Sequence, residues 1–124
     1  MQLLLPASIV ANEIIPLLKD FPFETIVKAA QKVKSGLGVK ISGAPPNCRY
    51  FKIYLTSKTS AGRAVFLVQV INDQITPLLI RRKDDKVGKN ITPRNRVFVA
   101  TINKNLELAT RDLEQGEFET IELK

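Results

Sequence analysis

The sequence predicts an α+β fold: N-terminal helices packed on a small twisted antiparallel sheet, with an additional C-terminal helix. Three observations carry this. Apolar residues recur at helical spacing as far as Gly36, the period changes to two from Arg49 onward, and Thr92-Pro93 opens a second helical stretch. The 124 residues suit a single domain, 1–124, long enough for a modest core.

The elements follow in chain order. "ASIVANEIIPLLKDF" reads as a helix with Ile9, Val10, Ile14, Leu17 and Leu18 apolar, and Pro16 kinks or ends it. Leu3–Leu5 reads alternatively as a short strand ahead of it. "FPFETIVKAAQKVKSG" gives a clearer helix, with Ile26, Val27, Ala30 and Val33 on one face, lysines on the other and Gly36 as its stop. "SGLGVKISGAPPN" is a loop. In "RYFKIYLT", Phe51, Ile53 and Leu55 point one way, as core. Tyr50, Lys52, Tyr54 and Thr56 point the other. "SKTSAG" is a turn, and "RAVFLVQVI" and "ITPLLIRRK" form a hairpin about Asn72-Asp73. Pro77 lacks a donor, which predicts an edge or a bulge in the second of these strands. Thr92 is the expected cap and Pro93 the first residue of a helix running to 115, with a stripe of Phe98, Ile102, Leu106, Ala109 and Leu113. "EFETIELK" alternates weakly and suits a last strand.

Composition narrows the chemistry. The chain lacks histidine and has one cysteine, Cys48. Serine–histidine and cysteine–histidine catalysis and the common zinc motifs are thereby excluded, as is an internal disulfide. Proton transfer would fall to Lys, Arg, Tyr or a carboxylate. No apolar run approaches a membrane span, and the N-terminus lacks a basic leader, so a reducing interior, the cytoplasm, is the expected location. Asp84-Asp85 reads as a solvated turn rather than a metal site, and no metal or cofactor is expected.

The net charge of +7 is uneven: +2 over residues 1–48, +8 over 49–96 and −3 over 97–124. A central basic block of this kind fits a polyanion, with a solubilising surface as the plain alternative. "IRRK" ends an apolar strand in three cations, Arg81, Arg82 and Lys83, and Lys86, Lys89, Arg94 and Arg96 follow. With a two-residue turn, Arg63 lies directly opposite Arg82. Facing like charges destabilise a bare hairpin, so either this register is wrong or an anion belongs between them. On the neighbouring strand, Tyr50, Lys52 and Tyr54 offer rings for stacking a base and an ammonium for a phosphate, unless that face is simply solvated.

The arrangement of two helices, a glycine-rich link, "RYFKI", a "GR" opening "RAVFLV" and a strand ending "IRRKDDK" resembles the RelE/ParE superfamily of toxins from toxin–antitoxin pairs, over roughly residues 23–92. The resemblance implies a ribosome-dependent mRNA interferase that cleaves RNA by attack of its own 2′-OH without metal. It assigns Arg63, Arg82, Lys52 and Tyr54 to catalysis, with Arg81 as the other arginine able to fill the strand-end position. Arg49, Tyr50, Lys58, Arg81, Lys83, Lys86 and Lys89 would bind RNA. An acidic antitoxin is the implied protein partner, and no membrane is involved. Members commonly carry a proton-transfer group near the C-terminus, where this chain offers Phe118. A non-catalytic ParE-like inhibitor of DNA gyrase, or a basic nucleic-acid-binding accessory domain, are the alternative readings.

Overall fold

The computed structural model describes all residues, 1–124. Strand β1 (Gln2–Pro6) leads into a helical segment, α1, made of a turn of α-helix (Ala7–Ile9), a π-turn (Val10–Ile14) and a 3-10 turn (Ile15–Leu17). Helix α2 (Phe23–Lys34) precedes β2 (Val39–Ile41), β3 (Cys48–Thr56), β4 (Ala61–Gln69) and β5 (Gln74–Arg82), and α3 (Arg96–Glu114) and β6 (Phe118–Glu122) close the chain. The α+β class is as expected. The N-terminal stretch supplies both of its candidate elements, a strand and then a helix.

The six strands lie in the order β2-β3-β4-β5-β1-β6. All neighbours are antiparallel except β1 and β5, which run parallel for two residue pairs only, Gln2↔Gln74 and Leu3↔Ile75. The sheet is therefore mixed, larger than the small antiparallel one expected, and helices cover both of its faces. On one face α2 packs Ile26, Ala29, Ala30 and Val33 against Ile53, Leu55, Phe66 and Ile80, with Phe21 fully buried. On the other, Phe98, Ile102 and Ala109 of α3 join the core that contains Val65, Leu67, Leu78 and Leu79. No helix is long and apolar enough to cross a membrane.

Pro77 marks an irregularity, as its missing donor suggests. The β4–β5 register shifts between Val65 and Phe66, which pair with Leu79 and Pro77, so Leu78 has no partner across the strand. Asn105 of α3 fills that gap, donating from Nδ2 to the Leu78 carbonyl at 2.7 Å. The buried asparagine on the α3 face is thus explained by the bulge beneath it.

Helix α3 begins three residues later than its sequence suggests. Thr92 and Pro93 form a turn instead, with the Asn95 N–H donating to the Thr92 carbonyl. Asn95 is the true cap, its side chain accepting from the Val97 N–H. Gly116 (φ 72°) ends the helix.

Candidate nucleic-acid interface

Strand alternation builds the site. Tyr54 of β3 lies directly opposite Arg63 of β4, and Lys52 is two residues earlier on the same face. The Arg63 guanidinium carbon sits 5.1 Å from the centre of the Tyr54 ring, and Lys52 Nζ is 5.8 Å from it. Both cations thus attend one ring that is 57% exposed. A shallow groove of about 330 Å³ runs past Tyr54 and Arg63 to Lys83. Lys83 is tied there because its N–H donates to the Ala61 carbonyl at the start of β4.

Arg63 has no carboxylate within salt-bridge distance, and its buried Nη1 finds no acceptor in the protein. A buried N–H without an acceptor costs about 1–3 kcal/mol. An anion laid in the groove would relieve that cost.

The facing-arginine question resolves by one residue. The β4–β5 connection spans four residues, Val70–Asp73, with Asp73 at φ 55°, and Gln69 pairs with Gln74. With the bulge this sets Arg63 opposite Arg81, while Gly62 faces Arg82. The expected Arg63–Arg82 pair is corrected accordingly. The anion required beside Arg81 comes from within the chain. Glu13, 4% exposed in the π-turn, accepts from Arg81 Nε at 3.1 Å and from Nη2 at 2.8 Å. It also accepts from the Ile80 N–H at 2.9 Å, on the side of β5 away from β4, where β1 no longer runs alongside. These bonds raise the Arg81 pKa against the opposing effect of burial.

Arg82 alternates to the α2 face and is held by Asp20, which accepts from its Nε at 2.8 Å and also from Nη2. Asp20 accepts further from Ser60 Oγ. The hydrogen bonds from Arg82, then Ser60, lower its pKa. Of the four residues assigned to catalysis, Lys52, Tyr54 and Arg63 therefore come together and Arg82 does not.

The RNA-binding assignments divide in the same way. Tyr50 is 2% exposed, within the α3-side core beside Ile41 and Leu67, and cannot stack a base; this assignment is corrected. Burial, with Cys48 nearby, pushes its phenol up. Arg49 is exposed but alternates to the other face, opposite Val68 at the far end of β3. Lys58 projects from the β3–β4 turn, and Lys83, Lys86 and Lys89 from the loop after β5, all exposed. A second groove, near 510 Å³, joins Ser60, Arg82, Lys83 and Lys89 around the start of β4.

Asp85 organises that loop. Its Oδ1 accepts from the Val87 and Gly88 N–H groups at 2.8 and 3.2 Å and lies 3.6 Å from Arg81 Nη1. Burial pushes the carboxyl up, but the N–H groups of Gly88 and Val87 and the Arg81 guanidinium outweigh it and hold the pKa below the ordinary value. A depressed folded pKa gives stability that is present above the unfolded value, about 3.9, and lost as pH falls through the folded one. Urea unfolding at stepped pH should show this acid loss in the wild type and a shallower one in Asp85→Asn. Equal slopes would remove Asp85 from the account.

Sequence reasoning missed Glu13 and Asp20 as arginine partners. One signal was available for Glu13: a lone acid inside the apolar run "SIVANEII". Burial also pushes the Cys48 thiol up, away from the reactive thiolate. Compared with family models, curated proteins and solved structures, the chain gives no match, so the site is read from its own geometry.

Proposed function

We propose that this chain grips RNA along the Lys52–Tyr54–Arg63–Lys83 strip and acts as a toxin-type endoribonuclease of the RelE/ParE kind. It would act in the cytoplasm on mRNA at the ribosome, under control of an acidic antitoxin. The observation that carries the reading is the Arg63 guanidinium, partly buried, without a carboxylate and stacked on an exposed tyrosine. Such a group suits a phosphate, and the ring beside it suits a base.

In the proposed reaction the 2′-OH loses its proton and attacks the adjacent phosphorus. The 5′-oxygen of the next nucleotide leaves with a proton, giving a 2′,3′-cyclic phosphate and a 5′-hydroxyl. Arg63 neutralises the charge gathering on the phosphate oxygens, and Lys52 adds to that field. Water would take the proton of the 2′-OH, and the Tyr54 hydroxyl is the group of the strip that would give one to the leaving 5′-oxygen. Phe118 cannot assist, since β6 and β3 are separated by three strands.

Inducible expression in a bacterium with mapping of mRNA 5′ ends tests this directly. Growth arrest with new ends inside translated codons is expected, and Arg63→Ala should abolish both. Arg82→Gln should keep them, because Arg82 belongs to Asp20. In binding, Arg63→Ala should weaken single-stranded RNA by about 1–3 kcal/mol and lower the salt slope by about one. Cleavage that survives loss of Arg63 would sink the proposal.

One observation favours a second reading. With Arg81 and Arg82 both held by acids, the strip presents a single free arginine, which is more plainly a grip than a catalytic pair. Arrest without cleavage, together with loss of gyrase supercoiling, would establish a ParE-like inhibitor. RNA or DNA binding without any arrest would leave a basic accessory domain.

A further inference from the structure

The opposite edge of the sheet carries a separate surface. Strand β6 is an outer strand, paired to β1 in unbroken register from Gln2↔Glu122 to Pro6↔Phe118. The Leu123 N–H donates to Met1 and the Glu117 carbonyl accepts from Ala7, which fixes the alternation of hydrogen-bonded pairs. The backbone N–H and C=O groups of Phe118, Thr120 and Glu122 consequently point away from the sheet. Among the features that blunt natural edges, β6 lacks lysine, proline and a bulge, and its charges are the acids Glu119 and Glu122.

Beside this edge, between β6 and the start of α2, runs a groove of about 610 Å³. Every side chain lining it but one is apolar, and the exception is Glu119. Four large apolar residues are open to solvent there: Ile15 (57%), Leu18 (39%), Phe23 (37%) and Phe118 (36%). Contiguous exposed apolar surface of this sort marks an interaction site. Its one charged lining residue is an acid, Glu119, and Glu117 stands two residues before it, in a chain whose net charge is +7.

We propose that β6 and this groove take a basic, extended segment of a partner protein, added as a further strand. Its alternate apolar side chains lie in the groove and a Lys or Arg meets Glu119. A second copy is the poorer occupant. Two β6 strands paired antiparallel about Thr120 bring the Glu119 carboxylates of both copies into diagonal reach, which repels. Two strands, β5 and β1, separate this surface from β4, and it owes nothing to the RNA reading.

The test uses the full chain and a heptapeptide with isoleucine at two alternate positions, lysine at the next position of the same face and threonine between them, with its glutamate counterpart as control. Saturable binding of the lysine peptide alone is expected, with amide shifts concentrated at Phe118, Thr120 and Glu122. Glu119→Lys should reverse the preference, and Ile15→Glu should weaken binding tenfold or more without lowering the thermal midpoint, since Ile15 is exposed. Arg63→Ala should bind the peptide as the wild type does, so failure here is distinct from failure at the RNA strip. Equal binding of both peptides, no binding at about millimolar concentration, or self-association through β6 in sedimentation would each overturn the proposal.

Discussion

Glu13→Ala is expected to destabilise the protein by about 3 kcal/mol, one of the two largest single losses this fold offers. The carboxylate serves two clients: the backbone N–H of Ile80, on the side of β5 that β1 leaves unpaired, and the guanidinium of Arg81. Removing it strands both. The Arg81 side chain keeps 26% of its exposure, so water softens the loss and sets the expectation at the low end of the range for a broken buried pair. Substituting both partners, as Glu13→Leu with Arg81→Met, should recover part of the stability, because no unpaired charge remains. Urea unfolding of the two single variants and the double gives the coupling. If Glu13→Ala alone costs less than about 1 kcal/mol, the pair is not what fastens α1 to the sheet.

Gly62→Ala should cost a comparable amount, about 2–3 kcal/mol, for a reason of space alone. A Cβ at this position would stand 2.5 Å from Cζ of Phe21 and 2.6 Å from the Arg81 carbonyl oxygen. Phe21 is fully buried and the carbonyl is backbone, so neither can yield without moving the sheet or the α2-side core. Since Gly62 precedes Arg63, the same displacement should disturb the Tyr54–Arg63 stack. Chemical denaturation measures the first effect, and loss of RNA binding in the folded fraction measures the second. A variant as stable as wild type would show that β4 can slide past Phe21.

Much of the architecture was legible because it depends on local periodicity. The α2 face, the alternation of "RYFKIYLT", the glycine stops at Gly36 and Gly116 and the irregularity at Pro77 all follow from neighbouring residues. The site was legible only in part. Lys52, Tyr54 and Arg63 share a face through simple alternation, and that much holds. The partner of Arg63 depended on a four-residue turn and a bulge, and a shift of one position exchanged Arg81 for Arg82 and moved Arg82 to the other face. Tyr50 alternates correctly with Lys52 and Tyr54, yet it is buried among residues distant in sequence. Likewise Thr92-Pro93 has the form of a helix start, but Asn95 lies nearer the first buried residue, Phe98, and takes the cap.

The unpartnered guanidinium of Arg63 also sets stability against function. Folding draws its Nη1 out of water without supplying an acceptor, so the free protein is less stable than its sheet would otherwise allow. Arg63→Leu is accordingly expected to unfold at higher urea, by about 1 kcal/mol, and to bind RNA poorly. By the same linkage, single-stranded RNA should raise the melting temperature of the wild type and leave that of Arg63→Leu nearly unchanged. If RNA is the ligand, as proposed, its phosphate would supply the acceptor that folding alone withholds from Arg63.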